Sequence, residues 1–203
     1  MNYIDSYKTI AEPTEEILYK EKNSKFFGYA FPINSEEQVK PQLEFLRKKH
    51  FNAVHFCYAY QIGIEPVYYR TNDDGEPGNT AGAPIYGQIQ SFNLTNVLVI
   101  VVRYFGGTKL GVSGLISAYK TAAQMSLDSA TIIEKTINVH YLLVFEYKNL
   151  NKVMRIIKEK NITIINQKME LACEIEISIR KKEAEMVFTI FESLFEIEIK
   201  LKD

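Results

Sequence analysis

The sequence has few cysteines and no long apolar run. Only two cysteines occur in the 203 residues, Cys57 and Cys173, and they lie in very different surroundings. Two such thiols do not form a disulfide framework, so we expect reduced core cysteines and a cytoplasmic protein. No apolar run approaches the roughly 18 residues of a membrane span, and the first six residues lack the charged-then-apolar order of a secretion signal. We therefore expect neither membrane association nor secretion.

An excess of one charge sign is also lacking. Lys and Arg number 24 and Asp and Glu number 25, which gives a formal net charge of −1. This balance argues against a protein that coats nucleic acid through bulk charge, and it leaves a local basic patch open. Hydrophobic residues at 46% and charged residues at 24% are close to the globular average, so disordered and low-complexity classes are excluded.

Glycine and proline are missing from the second part of the chain. All ten glycines lie between Gly28 and Gly114, and the last proline is Pro84. A long helical pattern ends near Glu134, and a new alternating pattern begins after it. We therefore predict two domains, at 1–134 and 135–203.

The second domain has a regular hydrophobic pattern. Alternating apolar residues over 137–145 predict a strand, and apolar residues at helical spacing over 150–157 predict a helix. Two strands, a second helix over 184–191 and a last strand over 195–201 follow. The resulting order, βαββαβ, is ferredoxin-like, with helices on one face of an antiparallel sheet.

The open face of this predicted sheet is rich in glutamate. An RNA-recognition sheet of the same topology presents aromatic residues for base stacking. Glutamates repel phosphate, so we do not expect a standard RNA-recognition module. The polar positions concerned are Glu174, Glu176, Ser178, Glu196 and Glu198.

The first domain is predicted to mix strands and helices. Strands are expected at about 25–32, 56–63, 67–71 and 97–102, and a final helix is expected to begin near Gly111. Ser35 and Gln38 have capping-box spacing before another helix. Pro41 should kink or restart that helix.

An acidic turn at 73–84 interrupts this pattern. Asp73, Asp74 and Glu76 place three carboxylates within four residues, a composition that suits a hard cation. The spacing does not match an EF-hand loop, and Asp-Gly followed by Glu-Pro is common turn chemistry. The favoured interpretation is a rigid turn in which Asn79 or Thr80 caps the next helix.

A glycine-rich loop at 101–114 follows a buried strand and precedes the final helix. Backbone amides at such a junction bind anions, and Arg103 and Lys109 add positive charge. The spacing is not that of a P-loop, and the glycines also suit tight turns and close packing, so both interpretations stay open. We predict that the two segments share one surface, with Arg103 held by one of the three carboxylates.

No catalytic set is evident among the histidines and cysteines. Cys57 follows His55 by two residues, so on a strand both point to one face, and a Cys–His nucleophile is conceivable. A packed cysteine and a hydrogen-bonded histidine are favoured. Two ligands are too few for a structural zinc site. We expect no catalytic residue, metal or cofactor.

These segments resemble the signature of the YigZ/IMPACT family. Asp-Asp-Gly-Glu-Pro at 73–77 and Arg-Tyr-Phe-Gly-Gly at 103–107 carry the likeness, and residues 24–26 and 55–60 match earlier elements. The βαββαβ tail resembles the second domain of bacterial members. The matching positions, taken as anion, nucleic-acid or partner-binding residues, are Asp73, Asp74, Glu76, Thr80, Arg103, Tyr104, Gly106, Gly107, Lys109, Gly111 and Gly114.

The resemblance implies a fold and a function. The expected α+β fold is a ribosomal protein S5 domain 2-like first domain followed by a ferredoxin-like domain resembling the last domain of elongation factor G. Eukaryotic relatives regulate translation initiation by binding a large activator of a stress kinase, and nucleic-acid binding is the usual suggestion for bacterial members. In this sequence Gly78-Asn79 replaces a common Ser-Gly, and Ala83 and Ser117 replace commonly basic residues.

We therefore expect a non-enzymatic cytosolic factor related to translation. It would bind the ribosome, RNA or a protein partner through the loops of the first domain, without a membrane. The alternatives are a small-molecule or nucleotide-binding enzyme and a pure protein-interaction module. The motifs specify no oligomeric state.

Overall fold

The computed structural model describes residues 5–202, which form two compact units. The first comprises Tyr7–Lys135, and the second comprises Asp5 and Ser6 together with residues 136–202. The expectation about a secretion signal concerns the first six residues, of which the first four lie outside the described residues. Within 5–202, no helix has both the length and the apolar character needed to span a membrane.

A five-stranded antiparallel sheet forms the centre of the first unit. Its order is β2-β3-β6-β4-β5, so β6 is the middle strand, and the short strands β1 and β7 pair separately. The elements of this part of the chain are β1 (Ser6–Ile10), β2 (Ile17–Glu21), β3 (Ser24–Pro32), α1 (Val39–Lys49), β4 (His55–Ile62), β5 (Tyr68–Asn72), α2 (Gly82–Ser91), β6 (Val97–Tyr104), α3 (Gly111–Asp128) and β7 (Ile132–Thr136).

Helices cover both faces of this sheet. Val97, Val99 and Val101 of β6 pack in one core with α2 and α3. The alternate residues of β6, including Leu98 and Ile100, pack in a second core with α1. The middle strand is therefore buried on both sides, which explains the unbroken apolar run from 97 to 102.

The helical segment before β4 restarts as expected from Pro41. A short 3-10 helix, Glu36–Gln38, precedes α1, and Pro41 lies in the first turn of α1. A proline is tolerated there because an amide in the first turn has no partner within the helix. Gln38 Oε1 accepts a hydrogen bond from the Ser35 amide at 3.3 Å, as the capping-box spacing predicts.

The second unit has the predicted order βαββαβ. Its antiparallel sheet runs β11-β8-β10-β9, and the two helices pack against one face with the apolar residues Tyr141, Leu143 and Phe145. Its elements are β8 (Asn138–Glu146), α4 (Leu150–Glu159), β9 (Thr163–Lys168), β10 (Ala172–Arg180), α5 (Lys181–Glu192) and β11 (Ile197–Lys202).

The open face of this second sheet differs from the expected glutamate-rich surface. Glu196 precedes β11, and its Oε2 lies 3.3 Å from Lys152 Nζ on α4, the side that the helices cover. Lys202 lies beside Glu176, with Nζ 2.6 Å from Oε2. The face carries both charge signs because Lys200 and Lys202 continue the alternation of β11 beyond Glu198, the last of the polar positions expected on this face.

The close approach of α3 to β3 generates a prediction about Gly28. A Cβ at Gly28 would lie 2.1 Å from Ser126 Oγ and 2.8 Å from the Ala122 carbonyl oxygen. Gly28→Ala should therefore lower the free energy of unfolding by about 1–3 kcal/mol, as overpacked cores do. The matched control is Gly87→Ala in α2, where nothing lies within 4 Å of the added carbon.

The control should raise the free energy of unfolding by about 0.5–1 kcal/mol, because alanine is the better helix residue. Urea denaturation of the three proteins measures both changes. A Gly28→Ala variant as stable as the parent would contradict the described packing of α3 on β3.

Candidate functional site

Glu76 joins three elements of the first unit. It lies in the loop between β5 and α2, and its side chain is only 4% exposed. Its Oε1 accepts hydrogen bonds from Arg103 Nη1 at 2.6 Å and from the Tyr119 hydroxyl at 2.7 Å. Arg103 belongs to β6 and Tyr119 to α3, so one carboxylate connects a loop, a strand and a helix. The prediction that one of the three acidic residues holds Arg103 is confirmed.

Arg103 is enclosed by its neighbours. The residue is 5% exposed, and its Nη2 donates to Ser24 Oγ at 3.4 Å. Its guanidinium carbon lies 5.5 Å from the ring centroid of Phe26 and 5.6 Å from that of Phe105. Within residues 5–202 its buried Nε has no hydrogen-bond partner. The charge of Arg103 is therefore neutralised mainly by Glu76, and an external anion would have to compete with that carboxylate.

Asp73 caps helix α2 from a distance. Its Oδ1 accepts hydrogen bonds from the amides of Ala81 and Gly82, at 2.9 and 2.8 Å. Carboxylates at this position are favourable because the first amides of a helix lack internal partners and the helix dipole is positive there. The expectation that Asn79 or Thr80 caps this helix is wrong, since Thr80 is buried and its hydroxyl donates to the Pro77 carbonyl at 2.6 Å.

Asp74 holds the acidic turn against β4. Its Oδ2 accepts a hydrogen bond from the Phe56 amide at 2.7 Å, and Arg47 Nη2 of α1 lies 3.3 Å from Oδ1. The three carboxylates of the turn thus have different partners. Within residues 5–202 no group of three or more His, Cys, Asp or Glu side chains is arranged to hold a metal ion. The hard-cation interpretation of the acidic turn gains no support from this geometry.

His55 and Cys57 share a face of β4, but they do not form a nucleophile pair. His55 Nδ1 donates to the Asp74 carbonyl at 2.8 Å, and the Cys57 thiol donates to the Asp73 carbonyl at 3.0 Å. Burial, reinforced by the nearby carboxylates, raises the pKa of the Cys57 thiol far above its usual range. The cysteine therefore stays a thiol, and both side chains fasten the acidic turn to β4.

The glycine-rich loop lies against the turn between β2 and β3. A Cβ at Gly106 would be 2.1 Å from the Asn23 carbonyl carbon, so only glycine permits this approach. The Gly106 amide donates to Ser24 Oγ at 3.2 Å, and Ser24 also contacts Arg103. The predicted proximity of the acidic and glycine-rich segments is confirmed, because Arg103 and its contacts join them.

The remaining signature residues lie in three places. Gly107, with φ of +84°, and Lys109 are exposed in the loop, while Gly111, with φ of +73°, begins α3 and Gly114 lies one turn later. Tyr104 lies on the opposite face of the sheet from Arg103, because successive residues of a strand alternate. The structure therefore does not bring all the predicted site residues into one pocket.

Tyr104 belongs to a partly buried polar group beside the end of α1. Its hydroxyl lies 3.1 Å from His50 Nδ1, and His50 also contacts the Tyr29 hydroxyl, which donates to Glu16. Burial lowers the pKa of His50, although the charge of Glu16 acts in the opposite direction. Tyr104 thus serves the packing of α1 in this structure.

Three lysines that the sequence analysis did not identify lie at the same end of the sheet. Lys20 and Lys25 face each other in the register of β2 and β3, and Lys22 lies in the two-residue turn between these strands. The contact of Gly106 with Asn23 brings the glycine-rich loop, in which Lys109 lies, to this end as well. We call Lys20, Lys22, Lys25 and Lys109 the lysine cluster.

All four lysines of the cluster are exposed. Among residues 5–202, none of their ammonium groups has a hydrogen bond or an ion pair. The signal in the sequence is the presence of three lysines within the six residues 20–25, and it becomes informative only when β2 is recognised as a strand.

The buried position of Glu76 generates a stability prediction. Glu76→Gln preserves the size of the side chain but leaves the Arg103 guanidinium buried without a countercharge. The free energy of unfolding should fall by about 3–5 kcal/mol, the usual cost of removing one partner of a buried ion pair. Urea denaturation measures this change.

The control is Glu44→Gln on α1, whose carboxylate is exposed and lies 3.9 Å from Lys40 Nζ. This surface pair should contribute less than about 1 kcal/mol. Equal effects of the two substitutions would show that Glu76 does not stabilise the fold through Arg103.

Comparisons with known proteins match this region directly. The family model described as Impact N-terminal domain matches residues 22–127, which include the acidic turn, Arg103 and the glycine-rich loop. The IMPACT family member YvyE of Bacillus subtilis (strain 168) is 31% identical over 180 residues, covering 89% of this chain and 82% of that protein. Protein IMPACT of Oryctolagus cuniculus is 36% identical over 94 residues, covering 45% of this chain and 30% of that protein.

A solved structure matches the whole chain. A crystal structure described as that of a hypothetical protein superposes with a TM-score of 0.71 at 25% identity, covering 99% of both chains. The first unit is thus shared with bacterial and eukaryotic relatives, and the matched family model spans more than half of the 203 residues. The chain belongs to the IMPACT family.

Proposed function

We propose that this protein is a non-catalytic cytosolic factor of translation that binds RNA on the ribosome through the lysine cluster. The single observation that carries the proposal is the gathering of four unpaired lysines beside a junction whose other charges are neutralised internally. Lysines of this kind are the groups that contact phosphates and that make binding dependent on salt.

Each lysine of the cluster occupies a position that is unfavourable for the stability of the fold. Lys20 and Lys25 are directly opposite in an antiparallel pair, where like charges destabilise the sheet. Lys22 has φ of +43°, a conformation better suited to glycine or asparagine. Lys109 precedes α3, whose N-terminal end is positive. Contact with a polyanion would offset the charge repulsion at Lys20, Lys25 and Lys109, and it gives a reason for a lysine at position 22 despite the unfavourable φ.

The same geometry gives little support to an enzyme. Asp73, Asp74 and Glu76 are hydrogen-bonded within the fold, and Cys57 is a buried thiol with a raised pKa. No group of the signature remains both reactive and accessible except Lys109. The alternatives of a nucleotide-binding enzyme and of a protein-interaction module are left as outcomes of the experiment.

Family membership supports the link to translation. The IMPACT resemblance implies an S5 domain 2-like first domain and a second domain like the last domain of elongation factor G, and we include both finer assignments in the proposal. We also take 1–134 and 135–203 as the functional domains. A factor built from such a pair would contact ribosomal RNA, whose phosphates suit the lysine cluster.

The proposal is tested by sedimentation of a cell lysate through a sucrose gradient at low salt. The protein should co-sediment with ribosomal fractions and leave them as salt is raised, because lysine–phosphate contacts release counterions. Lys109→Glu should shift the protein towards the top of the gradient. Its melting temperature should change only as much as for other surface substitutions.

The matched control is Lys120→Glu, an exposed lysine farther along α3, which should sediment like the parent. Absence of the parent protein from every ribosomal fraction at low salt, with no RNA retained, would overturn the proposal. Retention that is insensitive to salt and to ribonuclease would favour a protein partner instead.

A further inference from the structure

We propose that the RNA bound at the lysine cluster is single-stranded, with bases stacked on Phe51 and Phe105. This inference rests on the proposed function and names the ligand class of the same site. The lysines account for phosphate contacts, which double-stranded and single-stranded RNA both offer. The two exposed phenylalanines account for contacts that only unpaired bases make.

Phe51 and Phe105 lie on adjoining segments. Phe51 follows α1 and is 80% exposed, whereas Phe105 follows β6 and is 48% exposed. The Val54 amide donates to the Arg103 carbonyl at 3.1 Å, so the segment that follows Phe51 runs beside the residues that precede Phe105. His50, directly before Phe51, is hydrogen-bonded to Tyr104, directly before Phe105. Two contacts therefore hold the two segments together.

The same segments adjoin the lysine cluster. Tyr104 is paired in register with Lys25 of β3, and the residue after Phe105 is Gly106, which touches the turn that contains Lys22. The segments that carry the two rings thus lie beside the segments that carry the lysines, at one end of the sheet. A single strand laid across this end would meet aromatic rings and ammonium groups together, the combination typical of sequence-tolerant single-strand binding.

Phe105 has an additional feature that favours stacking. The Arg103 guanidinium lies 5.6 Å from its ring centroid, so a cation supports the ring from within the protein. Arg103 is itself held by Glu76, which limits the movement of that support. A base that stacks on Phe105 would therefore meet a ring that is already positioned.

The charges around the site are compatible with RNA. The carboxylate nearest in sequence to the lysines is Glu21, which accepts a hydrogen bond from the Tyr19 hydroxyl at 2.9 Å. Asp74, beside β4, is paired with Arg47 at 3.3 Å. Lys20, Lys22 and Lys25 outnumber the single carboxylate of the β2–β3 hairpin, so the local charge is positive although the whole chain is near neutral.

Fluorescence anisotropy with two labelled probes tests the inference. One probe is a short oligouridine, and the other is an RNA duplex with the same number of phosphates. The parent should bind the oligouridine more tightly than the duplex. Phe51→Ala should weaken oligouridine binding about 5- to 150-fold, the effect of losing one stacked base, and leave the salt dependence unchanged.

Matched variants separate stacking from charge and from folding. Phe51→Tyr should keep the affinity of the parent, and so should Phe195→Ala, which removes a 93% exposed ring of the second unit. Phe105→Leu should weaken binding of the oligouridine but not of the duplex. The melting temperature of this variant measures any stability lost with the contact between Phe105 and Arg103. These outcomes would support base stacking at the two named rings.

Lys22→Asn isolates the charge contribution. Asparagine tolerates the positive φ of this turn, so the melting temperature should not fall. The slope of log affinity against log salt should decrease by about 0.7 for a single-stranded probe. This variant should weaken the binding of both probes, because both carry phosphates.

The outcomes distinguish the inference from the proposed function. Equal binding of both probes, with no loss in Phe51→Ala and Phe105→Leu, would overturn single-strand stacking while RNA binding by the lysine cluster stands. No binding of either probe, together with absence from ribosomes, would overturn the proposed function itself. An equal loss of oligouridine affinity in Phe195→Ala and Phe51→Ala would also contradict the assignment of base stacking to Phe51.

Discussion

The first unit depends on one buried carboxylate. Glu76 accepts hydrogen bonds from Arg103 and Tyr119 and so ties the acidic turn to the middle strand and to α3. A buried ion pair adds little stability over an apolar packing, yet losing either partner alone is costly, so the two residues must be kept together. Through this mutual dependence the acidic turn and the end of β6 form one structural unit.

The surface around this ion pair follows from its position. Arg103 contacts Ser24, and Ser24 accepts the amide of Gly106, so the glycine-rich loop is drawn onto the turn between β2 and β3. The charged side chains of Glu76 and Arg103 are thereby engaged in contacts inside the fold. Lys109 and the three lysines of the hairpin, which come from segments far apart in the chain, remain exposed and without side-chain partners among residues 5–202.

Much of the fold could be predicted because its signals are local. Alternation and helical spacing identify the six elements of the second unit, the middle strand β6 and the start of α3 at Gly111. Strands β1, β2 and β7 are short and have few buried positions, so their periodicity is weak. Tyr104 could have been placed opposite Arg103 from alternation alone, because neighbouring residues of a strand face opposite sides.

The site was less predictable because its contacts are long-range. Asp73 caps α2 across eight residues, and Arg103 meets Glu76 across 27, so neither cap nor ion pair has a fixed spacing in the sequence. The lysine cluster requires both the hairpin register and the loop contact at Gly106. The sequence motif identifies a set of candidate residues, but only the fold shows which of them are buried and which are exposed.

A double-mutant cycle on Glu76→Gln and Arg103→Met tests this division of roles most directly. Unfolding free energies of the parent, both single variants and the double variant give the coupling, and RNA affinity is measured on the folded proteins. The account predicts a coupling of about 1–3 kcal/mol in stability and a salt dependence of RNA binding that is the same in all four proteins, because neither residue contacts a phosphate. Additive stabilities, or a smaller salt dependence in a folded Arg103→Met protein, would contradict it.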